Sequence, residues 1–420
     1  MSPIVYCLSC YLYPSATAIP QSLCFVFSTI IKSIVKKLTN KWLLVYLFLP
    51  FLVFNFLSIG ENHNVFLAYS FLKFSPSLVT LPKNLIDLSY FESHYFWPLG
   101  PFPAILLIPF VFLFKLNFQE SFLKLPLTVL NFWLVYQIAK SIKLPENKAF
   151  WLAVFFIFGS VYTPVALLPF SVYFSQIIVV TFLLLAIYIF LAKKNYLLIG
   201  LLVALASLTR QTLILSGAFF AITLLARPVK LTNVYKFMMP LLAALIITGT
   251  YNFARFGNYF ESGYSYQIIP QEQVKRREHG LFSFQHIPAN LYYLFLKTPD
   301  PVLAVDGSHV LKPPFLKTDY YGLSIFFISP ILLLVLLANF KNQLNRLSLI
   351  ATAIILLPIL LYYGIGYKQI GYRYALDFLP FLLFPLASAF KKVSIFYIAV
   401  LVLIGVFWSW FFVFEKLIGF

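Results

Sequence analysis

Acidic side chains are scarce in this chain. Of 420 residues, 13 are Asp or Glu against 31 Lys and Arg, and charged residues make up only 10%. A soluble domain carries roughly 25% charged residues, so an ordinary soluble surface is excluded. Cysteine is also rare: Cys7, Cys10 and Cys24 are the only three, all before residue 25. Disulfides therefore play no part in the rest of the chain. Cys7-x-x-Cys10 has redox or metal spacing, but no second Cys pair or His pair accompanies it. No His-x-x-x-His and no Asp-x-Asp occurs, so no motif specifies a metal site. The first residues lack a basic start, which argues against a signal peptide. Residues 19–31 are apolar but short for a crossing. Residues 1–41 read as an N-terminal extension with an extra apolar stretch and a basic cytoplasmic segment.

What is abundant is apolar. Hydrophobic residues make up 61% and aromatics 20%. Apolar runs recur from Trp42 to Val413, and a helix needs ~20 residues to cross a bilayer. Lysine-bearing turns separate many of them: Lys32 to Lys41, Lys140 to Lys148, Lys193-Lys194, Arg227 to Lys236, Lys341 to Arg346 and Lys391-Lys392. Lys and Arg bias a loop to the cytoplasm, whereas Asp and Glu contribute little. With those turns inside, outward helices are expected at 42–59, 149–165, 195–209, 237–252, 347–363 and 393–413. Inward helices are expected at 121–139, 174–192, 212–226, 322–340 and 374–390. The proline-rich stretch 102–116 reads as an interfacial or re-entrant helix, because a full crossing there would put Lys140, Lys143 and Lys148 outside. The expectation is an all-α polytopic membrane protein of about eleven crossings, spanning 42–420, in the plasma membrane. Its long outer loops are 60–101 and 251–320.

The acids then become an independent observation. Every Asp and Glu falls outside or at an outer helix end, except Glu146. Arg210, Arg255, Arg276, Arg277 and Arg373 also fall at the outer face. The plain reading is that long loops are outside and collect charge. Outward Arg at helix ends nevertheless runs against the positive-inside bias, and an Arg fork binds phosphate or carboxylate at two points. The net charge of +18 would suggest nucleic acid in a soluble protein. Here no basic run is interleaved with aromatics, and most Lys sits where anionic membrane lipids would meet it, so nucleic-acid binding is rejected.

A carboxylate just above a bilayer can take a proton from an acceptor hydroxyl. Nearby cations, or a metal, can neutralise a phosphate leaving group. Glu61, Asp87 and Glu92 are the candidate catalytic carboxylates, each also readable as a capping or solvated loop acid. Arg210, Arg255, Arg276 and Arg373 are the candidate phosphate ligands. The run Lys275-Arg276-Arg277-Glu278-His279 is either a solvated loop or a headgroup contact.

Several segments carry a resemblance. These are ENHNVFLAYSFL (Glu61–Leu72), DLSYFESHYFWPLGPFPAILLIP (Asp87–Pro109), GLLVALASLTR (Gly200–Arg210), YNFARFGNYFESGYSYQ (Tyr251–Gln267) and GYRYALDFLP (Gly371–Pro380). In order and sidedness they resemble the GT-C superfamily of polytopic glycosyltransferases, in its protein-mannosyltransferase-like and lipopolysaccharide-core branch. The resemblance implies a polyprenyl-phosphate sugar donor and inverting transfer at the outer face. It also implies a glycan, lipid or protein acceptor, with an acid early in the first outer loop as base. Glu61 matches that position. A divalent cation, Mg or Mn, is the cofactor it would bring. The chain departs from the family between Gly159 and Gln176, where a second acid is expected and none occurs. Three readings stay open there: Asp87 or Glu92 substitutes, cationic residues replace the metal, or catalysis is lost. The competing class is a non-enzymatic transporter or scaffold for envelope polysaccharide or lipid. A transporter should show charges in mid-helix and internal repeats, and few charges and no clear repeat are seen.

Overall fold

Long runs of Leu, Phe, Ile and Val can hydrogen-bond their backbone only within themselves when water is excluded, so helix is the conformation they adopt. The computed structural model of the protein describes residues 41–57, 60–192, 195–225, 230–304 and 308–418, and these are largely helical. The chain divides into Met1–Tyr46 and Leu47–Phe420. The three cysteines, the 19–31 stretch, the Lys32 to Lys41 turn up to residue 40, Lys193-Lys194, Arg227 and Asp306 lie outside the described residues.

Among the described residues five helices are long and apolar enough to cross a membrane: Glu120–Ser141, Ser171–Ala192, Leu231–Phe256, Gln343–Leu361 and Ile395–Leu417. Five further apolar helices are shorter: Leu47–Leu57, Phe102–Asn117, Tyr196–Thr209, Gln211–Leu225 and Leu379–Phe390. Helix length and composition thus pick out these five, and the expected count near eleven is not confirmed. The other runs are interrupted. At ~1.5 Å per residue, the 14 residues of Tyr196–Thr209 fall short of a ~30 Å hydrocarbon core. The expected 149–165 helix stops at Phe158 and restarts as Tyr162–Leu167. There Ser160 competes for the backbone: its Oγ donates to Phe156 O (2.6 Å) and accepts from Tyr162 N (3.1 Å). The 322–340 run becomes Ile325–Ile328 followed by a 3₁₀ turn that starts at Pro330, where a missing N–H and ring clash bar a continuous α-helix.

The fold also has strand, which the all-helical expectation did not include. Ser89–Phe91 pairs antiparallel with His94–Phe96, and Asp300–Leu303 with Leu311–Lys317. Both hairpins sit in the long loops. Glu92 and Ser93 make the first turn with φ of +45° and +64°, the left-handed pair that a two-residue hairpin requires.

Glu146–Phe158 is buried on nearly every side, with Trp151, Phe155, Phe156 and Phe158 fully covered. Phe51, Phe158 and Trp410 pack edge to face, with ring centres 5.5–5.7 Å apart, the arrangement aromatic quadrupoles favour. Among the five long helices Ser171–Ala192 is the most buried (67% of its apolar window) and Leu231–Phe256 the least (28%).

The two ends of the helices differ in chemistry. At one end the basic turns interlock. Lys148 Nζ donates to Phe390 O (2.6 Å) and Val393 O (2.8 Å), Lys391 Nζ to Ile142 O (2.9 Å), and Lys392 Nζ to Leu337 O (2.8 Å). These cations satisfy carbonyls that a helix end leaves without a partner. At the other end the loops 60–101, 251–282 and 362–374 come together. Gly100 fixes one of their junctions: its N–H donates to Thr209 O (3.2 Å), and a Cβ there would sit 1.9 Å from Leu208 O. Gly257 ends Leu231–Phe256 in the left-handed conformation (φ +65°), turning the chain into the second loop.

Candidate functional site

The joined loops enclose a cavity of about 360 Å³. Its lining comes from five separate stretches of chain. Glu61, Asn84 and Asp87 come from the first loop, and Tyr173 from the start of Ser171–Ala192. Arg210 follows Tyr196–Thr209, Tyr264 and Gln267 come from the second loop, and Tyr362, Tyr363, Lys368, Arg373 and Tyr374 follow Gln343–Leu361. The helices Tyr196–Thr209 and Gln343–Leu361 reach the cavity with their C-terminal ends, and the N-terminal end of Gln343–Leu361 adjoins the Lys341 to Arg346 turn. That basic turn and the cavity therefore occupy opposite ends of the same helix.

Backbone bonds hold Glu61 in place. Its N–H donates to Pro169 O (3.0 Å), and the His63 N–H donates to Ser171 Oγ (2.8 Å). Asn84 Nδ2 donates to Glu61 Oε1 (2.9 Å), while Oε2 is buried without a hydrogen-bond partner and lies 3.8 Å from His63 Nδ1. Burial, and then the charge of Asp87, push the Glu61 carboxyl from its ordinary 4.5 up to about 7. Burial pushes His63 down to about 4, so its ring is neutral at physiological pH and the contact is not an ion pair. The ring stacks on Trp97 with centres 4.7 Å apart.

Asp87 has φ +71°, a conformation that costs a non-glycine residue ~1–3 kcal/mol and collects at functional sites. Its Oδ1 accepts from Gln267 Nε2 (3.2 Å), and its N–H donates to Ile268 O (2.9 Å). Burial raises its carboxyl, against the pull of Arg373. Two carboxylates kept reluctant to ionise next to cations are what an acid–base site requires.

The cations differ in how free they are. Arg210 NH2 is bonded to Asp377 Oδ2 at 2.9 Å in a largely buried pair. Burial pushes the Asp377 carboxyl up, and Arg210 pulls it partly back. Arg373 has neutral partners only. Its guanidinium donates to Gln176 Oε1 (3.4 Å) and Tyr374 Oη (3.3 Å), lies over the Tyr374 ring at 4.6 Å, and leaves Nε unpartnered. Lys368, at φ +51°, is exposed and its charge draws the Glu61 carboxyl down. Arg373 and Lys368 are thus the positive charges in the cavity not already matched by a carboxylate bond, and both lie near carboxylates that resist ionising.

The remaining residues singled out from sequence lie elsewhere. Glu92 is exposed at the hairpin turn and does not line the cavity. Arg255 is buried and donates to Trp97 O (2.7 Å) and Asn252 Oδ1 (2.8 Å), tying the first loop to Leu231–Phe256. Arg276 Nε donates to Tyr363 O (2.8 Å), and Arg277 NH1 to Gln267 O (2.7 Å) with NH2 on Tyr264 O. Both guanidiniums brace the cavity wall from behind. Of the candidates, the structure brings Glu61, Asp87, Arg210 and Arg373 together. Lys368, Asn84, Gln267 and the tyrosines were not foreseen. Tyr374 lies within the GYRYALDFLP segment and Lys368 just before it, and Tyr264 and Gln267 lie within Tyr251–Gln267, so membership of those segments was the available signal.

The donor set does not suit a divalent cation. Among the described residues no three His, Cys, Asp or Glu side chains converge. A hard cation wants six or more oxygens, several of them charged, and here two carboxyls that resist ionising are accompanied by amides and cations.

No protein-family model matches the chain, and no curated protein matches it. Among solved structures it is similar to the archaeal oligosaccharyltransferase AglB from Archaeoglobus fulgidus, determined in complex with an inhibitory peptide and a dolichol-phosphate. Identity is 13% and the TM-score 0.39, over 84% of this chain and 50% of that one. The chain thus spans about half the length of that structure's chain.

Proposed function

We propose that this protein is a membrane glycosyltransferase that moves a sugar from a lipid-phosphate-linked donor, of the polyprenyl-phosphate kind, to an acceptor hydroxyl at the outer face of the membrane. One observation carries the reading. Glu61 and Asp87 share a single cavity with Arg373 and Lys368, at the end of the helices opposite the lysine turns. The lysine turns support the assignment of that end to the outer face.

In this reading Glu61 is the general base. Its carboxylate takes the proton of the acceptor hydroxyl as the acceptor oxygen bonds to the anomeric carbon. The bond from that carbon to the phosphate oxygen breaks, and its electron pair stays with the phosphate. The lipid phosphate gains one negative charge, which Arg373 and Lys368 are placed to stabilise. Arg210, paired with Asp377, shapes the site and adds less net field. Asp87 orients the sugar or acceptor through its free carboxyl oxygen. Tyr264, Tyr362 and Tyr374 offer faces on which a sugar ring can stack, with hydroxyls at their edges.

The test is reconstitution of the purified protein in lipid with a radiolabelled polyprenyl-phosphate sugar and extracted envelope glycans and lipids as acceptors. Transfer that Glu61→Gln abolishes is the expected result. Undiminished transfer by Glu61→Gln removes Glu61 as base. Absence of transfer by the unaltered protein across a panel of donors favours a transporter or scaffold.

A further inference from the structure

Asn84 holds both partners of a contact that is incomplete as it stands. Its backbone O receives His63 Nε2 (3.1 Å), and its side chain donates to Glu61 Oε1 (2.9 Å). With the ring neutral, the Nε2–H on a carbonyl leaves Nδ1 as a bare lone pair. That lone pair faces Glu61 Oε2 across 3.8 Å, and both atoms are buried with no other partner. Two buried acceptors left facing each other are costly. One proton between them, with a small closure of the gap, satisfies both. The ring cannot turn away: it is fully buried, stacked on Trp97, and its backbone is tied to Ser171.

We propose that His63 is the positioning residue of Glu61: its Nδ1 lone pair accepts a hydrogen bond from the protonated Glu61 Oε2, and so fixes which oxygen carries the proton. The catalytic meaning rests on the glycosyltransferase reading. There the carboxyl takes the acceptor proton on its cavity side as the C–O bonds exchange, and a turn of the carboxyl group then places the proton on the oxygen that faces Nδ1. The pairing itself does not depend on that reading. A hydrogen bond made only to the protonated carboxyl strengthens the base. Other groups face Glu61 too. Asp87 from the first loop raises its carboxyl, while the Ser171 backbone N–H, the Asn84 side chain and Lys368 from the 362–374 loop lower it, and Glu120 and Lys124, beside the start of Ser171–Ala192, and Tyr173 within it also interact with it. Removing Nδ1 leaves all of these in place.

Dicyclohexylcarbodiimide reacts with protonated buried carboxyls, so the pH midpoint of Glu61 labelling, read by mass spectrometry of its peptide, follows the proton without any transfer assay. In the reconstituted full-length protein, His63→Phe keeps the stacked ring and loses the acceptor. Its midpoint should fall by roughly 0.5–1 pH unit, the worth of one hydrogen bond. Asn84→Leu removes a donor to the ionised form, and its midpoint should rise. His63→Met serves the same purpose should the Phe variant not fold. An unmoved midpoint in the His63 variants overturns the pairing. A fall in both the His63 and Asn84 variants also overturns it, since that marks loosened burial. A fall with His63→Phe in a protein that transfers no sugar keeps the pairing and removes the glycosyltransferase reading.

Discussion

Replacing Glu61 by Gln should make the protein more stable and inactive at once, and the two effects should separate by pH. In the fold the Glu61 carboxyl sits at about 7 against an ordinary 4.5. Below pH 4.5 it is protonated in both folded and unfolded chains and costs nothing. As pH rises through 4.5 the unfolded chain ionises first, and stability is lost until the folded carboxyl ionises near 7. Above that the penalty is level at ~3 kcal/mol, from 1.36 kcal/mol per pH unit. Gln is neutral throughout. Its carbonyl can keep the Asn84 bond and its amide can donate to His63 Nδ1, which now has no donor. Glu61→Gln should therefore unfold at higher temperature at pH 8, by up to ~3 kcal/mol, and match the unaltered protein near pH 4.5. Transfer should drop ~10²–10⁴-fold, the usual contribution of a general base. The assay is thermal unfolding in lipid nanodiscs across pH 4.5–8.5, beside transfer at pH 8. A variant less stable at pH 8, or a stability gap that ignores pH, would refute the burial argument.

Transfer by the unaltered protein should fall as pH drops through about 7, because the base must be ionised, and Lys368→Ala should move that fall to higher pH by removing a charge that favours the carboxylate. Initial rates across pH check both. Arg373→Ala should lose most transfer, and Arg373→Lys should recover only part, because an ammonium lacks the fork that engages two oxygens. Glu92→Ala, at an exposed turn outside the cavity, should leave transfer within about twofold and stability within ~0.5 kcal/mol. Asp377→Ala strands the buried Arg210 charge and should cost ~3–5 kcal/mol. A melt of the double variant Asp377→Ala with Arg210→Leu should recover much of that.

Helix positions were legible because apolar runs and lysine turns leave strong local marks. Ser171–Ala192 and Gln343–Leu361 fall within a few residues of the expected 174–192 and 347–363. Helix continuity was less legible. Gly159-Ser160 and Ser329-Pro330 break runs whose hydropathy alone reads as unbroken. In the site, Glu61, Asp87, Arg210 and Arg373 could be named from charges that stand out against an apolar background. What sequence could not rank was the use of each charge. Arg255 and Arg276 look like Arg373 on paper, yet spend their donors on the carbonyls of Trp97 and Tyr363. Glu92 looks like Asp87, yet a two-residue turn points it to water. Lys368 and the tyrosines enter the cavity only because loops from opposite ends of the chain fold over it.

Arg276 and Arg277 grip the carbonyls of Tyr363, Gln267 and Tyr264, and Gln267 in turn grips Asp87. Three loops distant in sequence are stitched into one panel by these bonds. Arg277 holds two of these carbonyls at once, so freeing either one leaves part of its guanidinium without an acceptor. Tyr363 and the loop that carries Asp87 are therefore joined through two neighbouring arginines of one short helix, and a guest that displaced the Tyr363 carbonyl would leave Arg276 without that acceptor beside the arginine that holds Gln267.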